Sequence, residues 1–176
     1  EAYVEGMQNS TTGLNTESVA AVVKHWVGYG AAPDGFDGHN DYGQFSAVTD
    51  ESLDYHIEPF LGAFGLHVAG VMPSYTIAHR LTSNGTPVEA VAAGFSHYLL
   101  ETLLRGQKGF NGFILSDWAI YRDATAATKN PKKRQTPDDI AMPWGVTALT
   151  RIERIAKSIN AGVDQLGGKE AHTLKA

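Results

Sequence analysis

Four short apolar runs recur along this chain at similar intervals: Val19–Val23, Leu66–Met72, Gly112–Leu115 and Gly162–Leu166. Each is nearly continuous and rich in Val, Ile or Leu. Strands of a parallel sheet read this way, because both of their faces are covered and neither needs polar residues. Helical patterns lie between the runs. Leu53, Ile57, Phe60, Leu61 and Phe64 share one helical face, and Pro59 inside that pattern predicts a kink. Thr86-Pro87-Val88-Glu89 has the form of a capping box with Pro at the first helical position. Val88, Val91, Ala92, Phe95, Leu99 and Leu103 would form the apolar stripe of the helix it starts. Thr150 and Glu153 form a second capping box, ahead of Ile152, Ile155, Ala156 and Ile159, with Gly162 just past the end.

Strand and helix alternating at this regularity predict an α/β fold of βα repeats around a parallel sheet. The returns from helix to strand are short. The connections from strand to helix are long: Trp26–Thr49, Pro73–Thr86 and Trp118–Thr150. Long loops gathered on one side of a parallel sheet mark its ligand-binding face. Four βα units are about half of an eight-unit barrel, which takes about 250 residues. A half barrel leaves strand edges uncovered, so the remaining strands are expected from another piece of chain.

Composition narrows the function. A length of 176 residues suffices for one domain with a core of its own. The formal charge of −5 gives no basic footprint, so nucleic acid is not an expected partner. No apolar run reaches the length of a membrane span, so no membrane partner is expected. With no cysteine there is no thiolate nucleophile, disulfide or cysteine zinc site. The run Lys129-Asn130-Pro131-Lys132-Lys133-Arg134 reads as a solvated loop tip. The chain opens Glu1-Ala2-Tyr3-Val4, without an initiator Met or a signal-peptide pattern. It reads as truncated at that end, which leaves its compartment open, secreted or periplasmic included.

The chemistry concentrates at the strand ends. Gly112–Leu115 runs into Ser116-Asp117-Trp118, a carboxylate at a strand mouth with an aromatic ring beside it. A buried charge is costly unless partnered, so Asp117 is either paired or exposed at the mouth. Lys24-His25 closes the first run: either an interior ion pair with a satisfied core histidine, or a set of donors for sugar hydroxyls. Tyr75, after the second run, either lines the wall or hydrogen-bonds a carboxylate and sets its ionisation. The loop Asp34–Asp41 gathers acids, glycines and His39, but its spacing does not match a calcium loop. A metal there ranks below a turn-rich or substrate-facing loop, and no cofactor or metal is expected.

Taken in order, these segments resemble glycoside hydrolase family 3, the β-glucosidase and β-xylosidase family. Lys24-His25-Trp26-Val27-Gly28-Tyr29-Gly30 is similar to its K-H-F-x-G-Y-G strand end. Tyr55-His56-Ile57-Glu58-Pro59-Phe60 resembles its Y-L-x-P-F helix, and Val71-Met72-Pro73-Ser74-Tyr75 its V-M-x-S-Y strand end. Asn84-Gly85-Thr86-Pro87 is like its N-G-x-P. Leu103-Leu104-Arg105, leading through Gly109–Trp118, fits the signature around the family nucleophile, and Ala161-Gly162-Val163-Asp164 resembles the next strand.

The resemblance implies that residues 1–176 are part of a catalytic (β/α)8 barrel, roughly its second half. It implies a retaining hydrolase of terminal β-linked sugars, with Asp117 as the catalytic nucleophile that forms a glycosyl-enzyme intermediate. Lys24 and His25 would bind hydroxyls of the sugar, Tyr75 would sit beside the nucleophile, and Met72 and Trp118 would line the pocket. No motif in this stretch supplies the acid/base carboxylate, so a second domain is expected in the parent chain and the isolated piece is expected to be inactive. The alternatives are a non-catalytic carbohydrate-binding barrel piece and, further off, a metal-dependent hydrolase using His25, His39 and Asp117.

Overall fold

The computed structural model describes residues 1–130, 136 and 139–168. Its centre is a parallel sheet of three strands in the order β1 (Val22–Trp26), β2 (Gly70–Pro73), β5 (Phe113–Ile114). Val22, Val23 and Lys24 pair with Gly70, Val71 and Met72, and the register then shifts so that Trp26 meets Pro73. Gly70 and Val71 pair in turn with Phe113 and Ile114. All three strands run the same way, so their C-terminal ends open on one side.

The strands occupy the predicted runs, with shifted ends. The first begins three residues late. Val19 is exposed and donates its N–H to Met7 O, tying that segment to α1 (Ala2–Gln8) instead of the sheet. Its end is late as well, so Lys24 and His25 lie within β1 and not beyond it. In the second run, Leu66 to Ala69 finish the turn after α2 (Leu53–Gly65). The N–H groups of Leu66 and Val68 both donate to Ala63 O, and His67 takes a positive φ of 50°. The fourth run makes a single parallel bridge, Leu115 with Gln165. Asp164 explains part of this. Its carboxylate accepts from the Ile114 N–H at 2.7 Å and from Arg105 at 2.7 Å, so a side chain does work that a strand would do.

The capping box at Thr86 does not start a helix. Thr82–Ser83 (β3) and Thr86–Pro87 (β4) form an antiparallel hairpin instead. Asn84 and Gly85 sit at its tip with φ of 50° and 77°, and two consecutive residues of positive φ make the Asn-Gly turn that suits strand twist. The turn chemistry overrides the capping pattern. The helix begins well downstream, at Tyr98, and is wound as a π-helix through Gln107. Leu99 and Leu103 of the expected stripe lie on it, while Val91, Ala92 and Phe95 are buried from the segment before it.

The other two helices form where expected, but their expected apolar faces are only partly covered: Leu61 is exposed, and of Ile152, Ile155, Ala156 and Ile159 only Ile155 is buried, because the inner face of that helix is Arg154, Ile155 and Ser158. Helix α2 passes through Pro59 and buries Leu53, Ile57 and Ala63. Helix α3 (Arg151–Asn160) starts on the capping box as read: Thr150 Oγ1 accepts from the Glu153 N–H, and Glu153 Oε2 accepts from the Thr150 N–H at 2.7 Å. Thr150→Ala, which orphans that amide, is expected to cost about 1 kcal/mol of folding free energy, read from denaturant unfolding.

Two apolar clusters hold the molecule together. One lies under the sheet and takes Trp26, Ile57, Val71, Leu100, Leu104 and Ile114. Trp26 is fully buried and donates from Nε1 to Leu99 O at 2.9 Å. The other is built by the long loops themselves, from Tyr75, Ile77, Phe95, Ile120, Met142 and Trp144. Trp144 Nε1 donates to Gly38 O at 2.8 Å and so ties the loop after β5 to the loop after β1. The face that the sequence marks as loops is therefore a second core. In the basic run, Lys129 is exposed as expected, while Pro131 to Arg134 lie outside the described residues. Among the described residues, no helix is long and apolar enough to cross a membrane.

Candidate active site

Asp117 follows β5 by three residues and is 5% exposed. Its neighbours come from all three strands. Tyr75, two residues past β2, donates its hydroxyl to Asp117 Oδ1 at 2.7 Å. The Trp118 N–H donates to the same oxygen at 2.7 Å. His25, on β1, places Nε2 3.2 Å from Oδ2. That approach lacks hydrogen-bond alignment, and Oδ2 is buried without a hydrogen-bond donor among the described residues. Oδ1 is clamped by two hydrogen bonds, while Oδ2 has only the His25 ring edge beside it.

Burial on its own would raise the Asp117 carboxyl. The contacts with His25, Tyr75 and the Trp118 amide outweigh it and hold the group below the usual carboxylate range. Asp117 is then ionised at neutral pH. Because its value is depressed in the folded state, its contribution to stability is present above the ordinary carboxylate range and is lost as pH falls through the lowered value. Tyr75 moves the opposite way. Burial first, then the Asp117 charge and the hydrogen bond to it, push the phenol upward, so it stays a proton donor.

The other expected residues are less tightly drawn in. Met72 is buried at the end of β2, in register with Lys24. Lys24 is exposed and makes no hydrogen bond or ion pair among the described residues; with His25, Gly28, Tyr29, His56 and Phe60 it lines a cavity of about 250 Å³. The Trp118 ring is half exposed and lies over Gly168. Among the described residues, no group of three or more His, Cys, Asp or Glu side chains is placed to hold a metal ion. His39 pairs with Asp37 instead, at 2.7 Å.

The sequence singled out the loop of Asp37 and His39 as turn-rich, substrate-facing or metal-binding, but did not connect it, or Tyr29, to Tyr75. Tyr29, Asp37 and His39 form a connected group beside Tyr75: the His39 and Tyr75 ring centroids are 4.7 Å apart, and those of Tyr29 and His25 are 4.9 Å apart. A local signal existed, an Asp and a His two residues apart in a glycine-rich loop. Nothing local says that Trp144 folds that loop over the site.

A buried, ionised carboxylate at the mouth of parallel strands, ringed by histidine and tyrosine, is a site for electrophilic carbon or polar ligands. Comparison with known proteins gives it a family. Residues 1–170 match the model of the glycosyl hydrolase family 3 N-terminal domain. The chain belongs to glycosyl hydrolase family 3. It is 52% identical over 167 residues to a periplasmic β-glucosidase/β-xylosidase of Dickeya chrysanthemi, covering 94% of this chain and 26% of that protein. It is 34% identical to a probable β-glucosidase C of Aspergillus flavus, covering 98% of this chain and 25% of the other. The family 3 chain therefore spans about a quarter of the length of these relatives. Among solved structures, a β-glucosidase of Listeria innocua in complex with isofagomine superposes with a TM-score of 0.63 at 22% identity, over 98% of this chain and 20% of that one. An exo-1,3/1,4-β-glucanase of a Pseudoalteromonas species superposes with a TM-score of 0.57 at 25% identity, over 93% of this chain and 16% of the other. The resemblance read from the strand-end motifs agrees with this membership, and the α/β fold with its parallel sheet is shared with these neighbours.

Proposed function

We propose that this chain is the nucleophile-bearing part of a (β/α)8 barrel, roughly its second half, in a retaining β-glucosidase-like hydrolase of terminal β-linked sugars. The observation that carries the reading is the asymmetry of Asp117. Oδ1 is held by Tyr75 and the Trp118 amide, while Oδ2 takes no hydrogen bond among the described residues and has His25 Nε2 3.2 Å away. A carboxylate oxygen with no hydrogen bond keeps its lone pairs for attack, and a fixed partner oxygen aims it.

In the first step Oδ2 bonds to the anomeric carbon as the bond from that carbon to the leaving oxygen breaks. The leaving oxygen takes its proton from an acid supplied outside the residues that hold Asp117. In the second step water attacks the same carbon, gives up a proton, and frees the carboxylate. Lys24 and His25 bind sugar hydroxyls, Tyr75 keeps Asp117 ionised, and Met72 and Trp118 line the pocket, the Trp118 ring offering a face to the C–H side of a pyranose. Partners are then a small carbohydrate, the remaining barrel strands and a second domain. The name of the Dickeya relative places that protein in the periplasm, and the same compartment is proposed here.

The test is covalent trapping. The full-length protein is treated with a 2-deoxy-2-fluoro-β-glucoside carrying an activated leaving group, then digested and sequenced by mass spectrometry. An adduct on Asp117 is expected. No adduct, with sugar still bound, assigns a non-catalytic binder, and an adduct on another carboxylate removes Asp117 from the role.

Tyr75→Phe tests the ionisation argument. It removes one of the donors that lower Asp117, so the acidic limb of kcat/KM is expected to move upward by about one pH unit. A limb that stays in place detaches Tyr75 from the nucleophile's charge.

A further inference from the structure

Four rings pack together above Asp117: His25, Tyr29, His39 and Tyr75. The His25 and Tyr29 centroids are 4.9 Å apart, His25 and Tyr75 6.3 Å, Tyr29 and Tyr75 6.3 Å, and His39 and Tyr75 4.7 Å. Two of the four touch the Asp117 oxygens directly. The other two are held by one side chain. Asp37 Oδ1 accepts from the Tyr29 hydroxyl at 2.9 Å and from the His39 N–H at 3.0 Å, and lies 2.7 Å from His39 Nδ1. Ionised Asp37 is an acceptor only, so His39 presents Nδ1–H to it and the Tyr29 proton points to it as well. Burial pushes the Tyr29 phenol up, followed by its bond to Asp37, which keeps that proton in place.

The loop that carries Asp37 is itself fixed. A Cβ at Gly38 would lie 2.9 Å from Tyr29 Cε2 and 3.1 Å from Thr76 Cγ2, so the backbone is pressed onto Tyr29. Trp144 Nε1 holds the Gly38 carbonyl from the other side.

We propose that Asp37 is a positioning residue for Asp117: it fixes Tyr29 and His39, and their rings wedge His25 and Tyr75 against the two carboxylate oxygens. This rests on the functional reading above. Asp37 bonds to Tyr29 and His39 and not to the Asp117 carboxylate. Its role is to set the aim of Oδ2, which costs rate when lost and leaves ground-state sugar binding in place.

The experiment uses the full-length protein and the rate of trapping by the fluoro-sugar, which separates binding (KI) from bond formation (ki). Asp37→Ala is expected to lower ki and kcat roughly 10- to 100-fold with KI changed less than about threefold. Asp37→Asn, whose amide oxygen still accepts from Tyr29 and the His39 amide, is expected to recover most of the loss. Asp37→Ala combined with Tyr75→Phe is expected to be little worse than the more impaired single variant, because both act along one chain of contacts. Tyr29→Phe removes only the hydroxyl and covers the case in which Asp37→Ala does not fold; a fall of about three- to tenfold in ki is expected. Asp34→Ala, in the same loop and exposed, is expected to leave ki unchanged.

Unchanged ki in Asp37→Ala or Tyr29→Phe overturns the proposal, as does full multiplicativity in the double variant. So does a loss confined to substrates with poor leaving groups and rescued by azide, which would give the Asp37–His39 pair a proton-transfer role of its own. Asp117→Asn is measured beside these. If it turns over like wild type, the functional reading fails. If it is inactive while Asp37→Ala is not impaired, only this inference does.

Discussion

Asp117→Asn in the full-length protein is expected to lower kcat by roughly 10⁴-fold or more while KM for an aryl β-glucoside changes little. The amide has nearly the shape of the carboxylate. Its oxygen can still accept from Tyr75 and the Trp118 N–H, so the pocket keeps its form and the sugar still binds. What is lost is the anionic oxygen that takes no hydrogen bond, now replaced by an amide nitrogen whose lone pair is delocalised. An interaction made only on the way to the transition state appears in kcat and not in KM. The contacts around Asp117 favour its charge over the cost of burial, so the amide forfeits a modest stabilisation, while the two donors to Oδ1 keep the fold in place. A thermal midpoint close to wild type, together with the collapse in turnover, separates loss of chemistry from loss of structure. Residual turnover within about tenfold of wild type would show that bond breaking does not pass through this oxygen.

The part of the site that can be read from the chain is the part fixed by local pattern. Three of the four apolar runs become neighbouring strands in the expected parallel arrangement, so Asp117, Tyr75 and His25 arrive at one end of one sheet. Thr150 and Glu153 cap α3 because both partners lie within four residues of each other. Patterns fail where two local signals compete or where a distant residue decides. At Asn84-Gly85-Thr86-Pro87 a turn signal and a capping signal stand side by side, and the positive-φ pair at the tip wins. In the middle of the fourth run the Asp164 carboxylate binds the Ile114 amide and Arg105, so pairing is limited to one bridge at Gln165. The Asp37 group is further from reach still. Its loop is set over Tyr75 by a hydrogen bond between Trp144 and Gly38, residues 106 positions apart, and nothing in periodicity or spacing links them.

The same separation in sequence makes Arg154 the residue whose loss should cost the described fold most. Its side chain is 2% exposed on the inner face of α3. The guanidinium donates to the carbonyls of Val146, Thr147, Tyr121 and Arg122 at 2.9 to 3.1 Å, and to the Asp123 carboxylate at 2.8 Å. It thus joins the two ends of the long loop after β5, the segment that starts at the candidate nucleophile. The carboxylate is the minor part: Asp123 is 85% exposed, and an exposed ion pair is worth under about 1 kcal/mol, so Asp123→Ala should be nearly silent. The four carbonyls are the major part. Arg154→Ala removes a charged donor from each, leaving Val146 O with the Leu149 N–H, and opens a void in the loop core; an acceptor that loses its donor costs about 1–3 kcal/mol before water or relaxation relieves it. A net loss of about 3–5 kcal/mol is expected, the range for breaking a buried charged contact. In the full-length protein that corresponds to a fall of roughly 10 °C in the unfolding midpoint of this domain. Because the loop also carries Trp144, the variant should release the Gly38 loop as well and lose turnover at temperatures where Asp123→Ala keeps it. A midpoint within about 2 °C of wild type would mean that the second core holds the loop without its guanidinium.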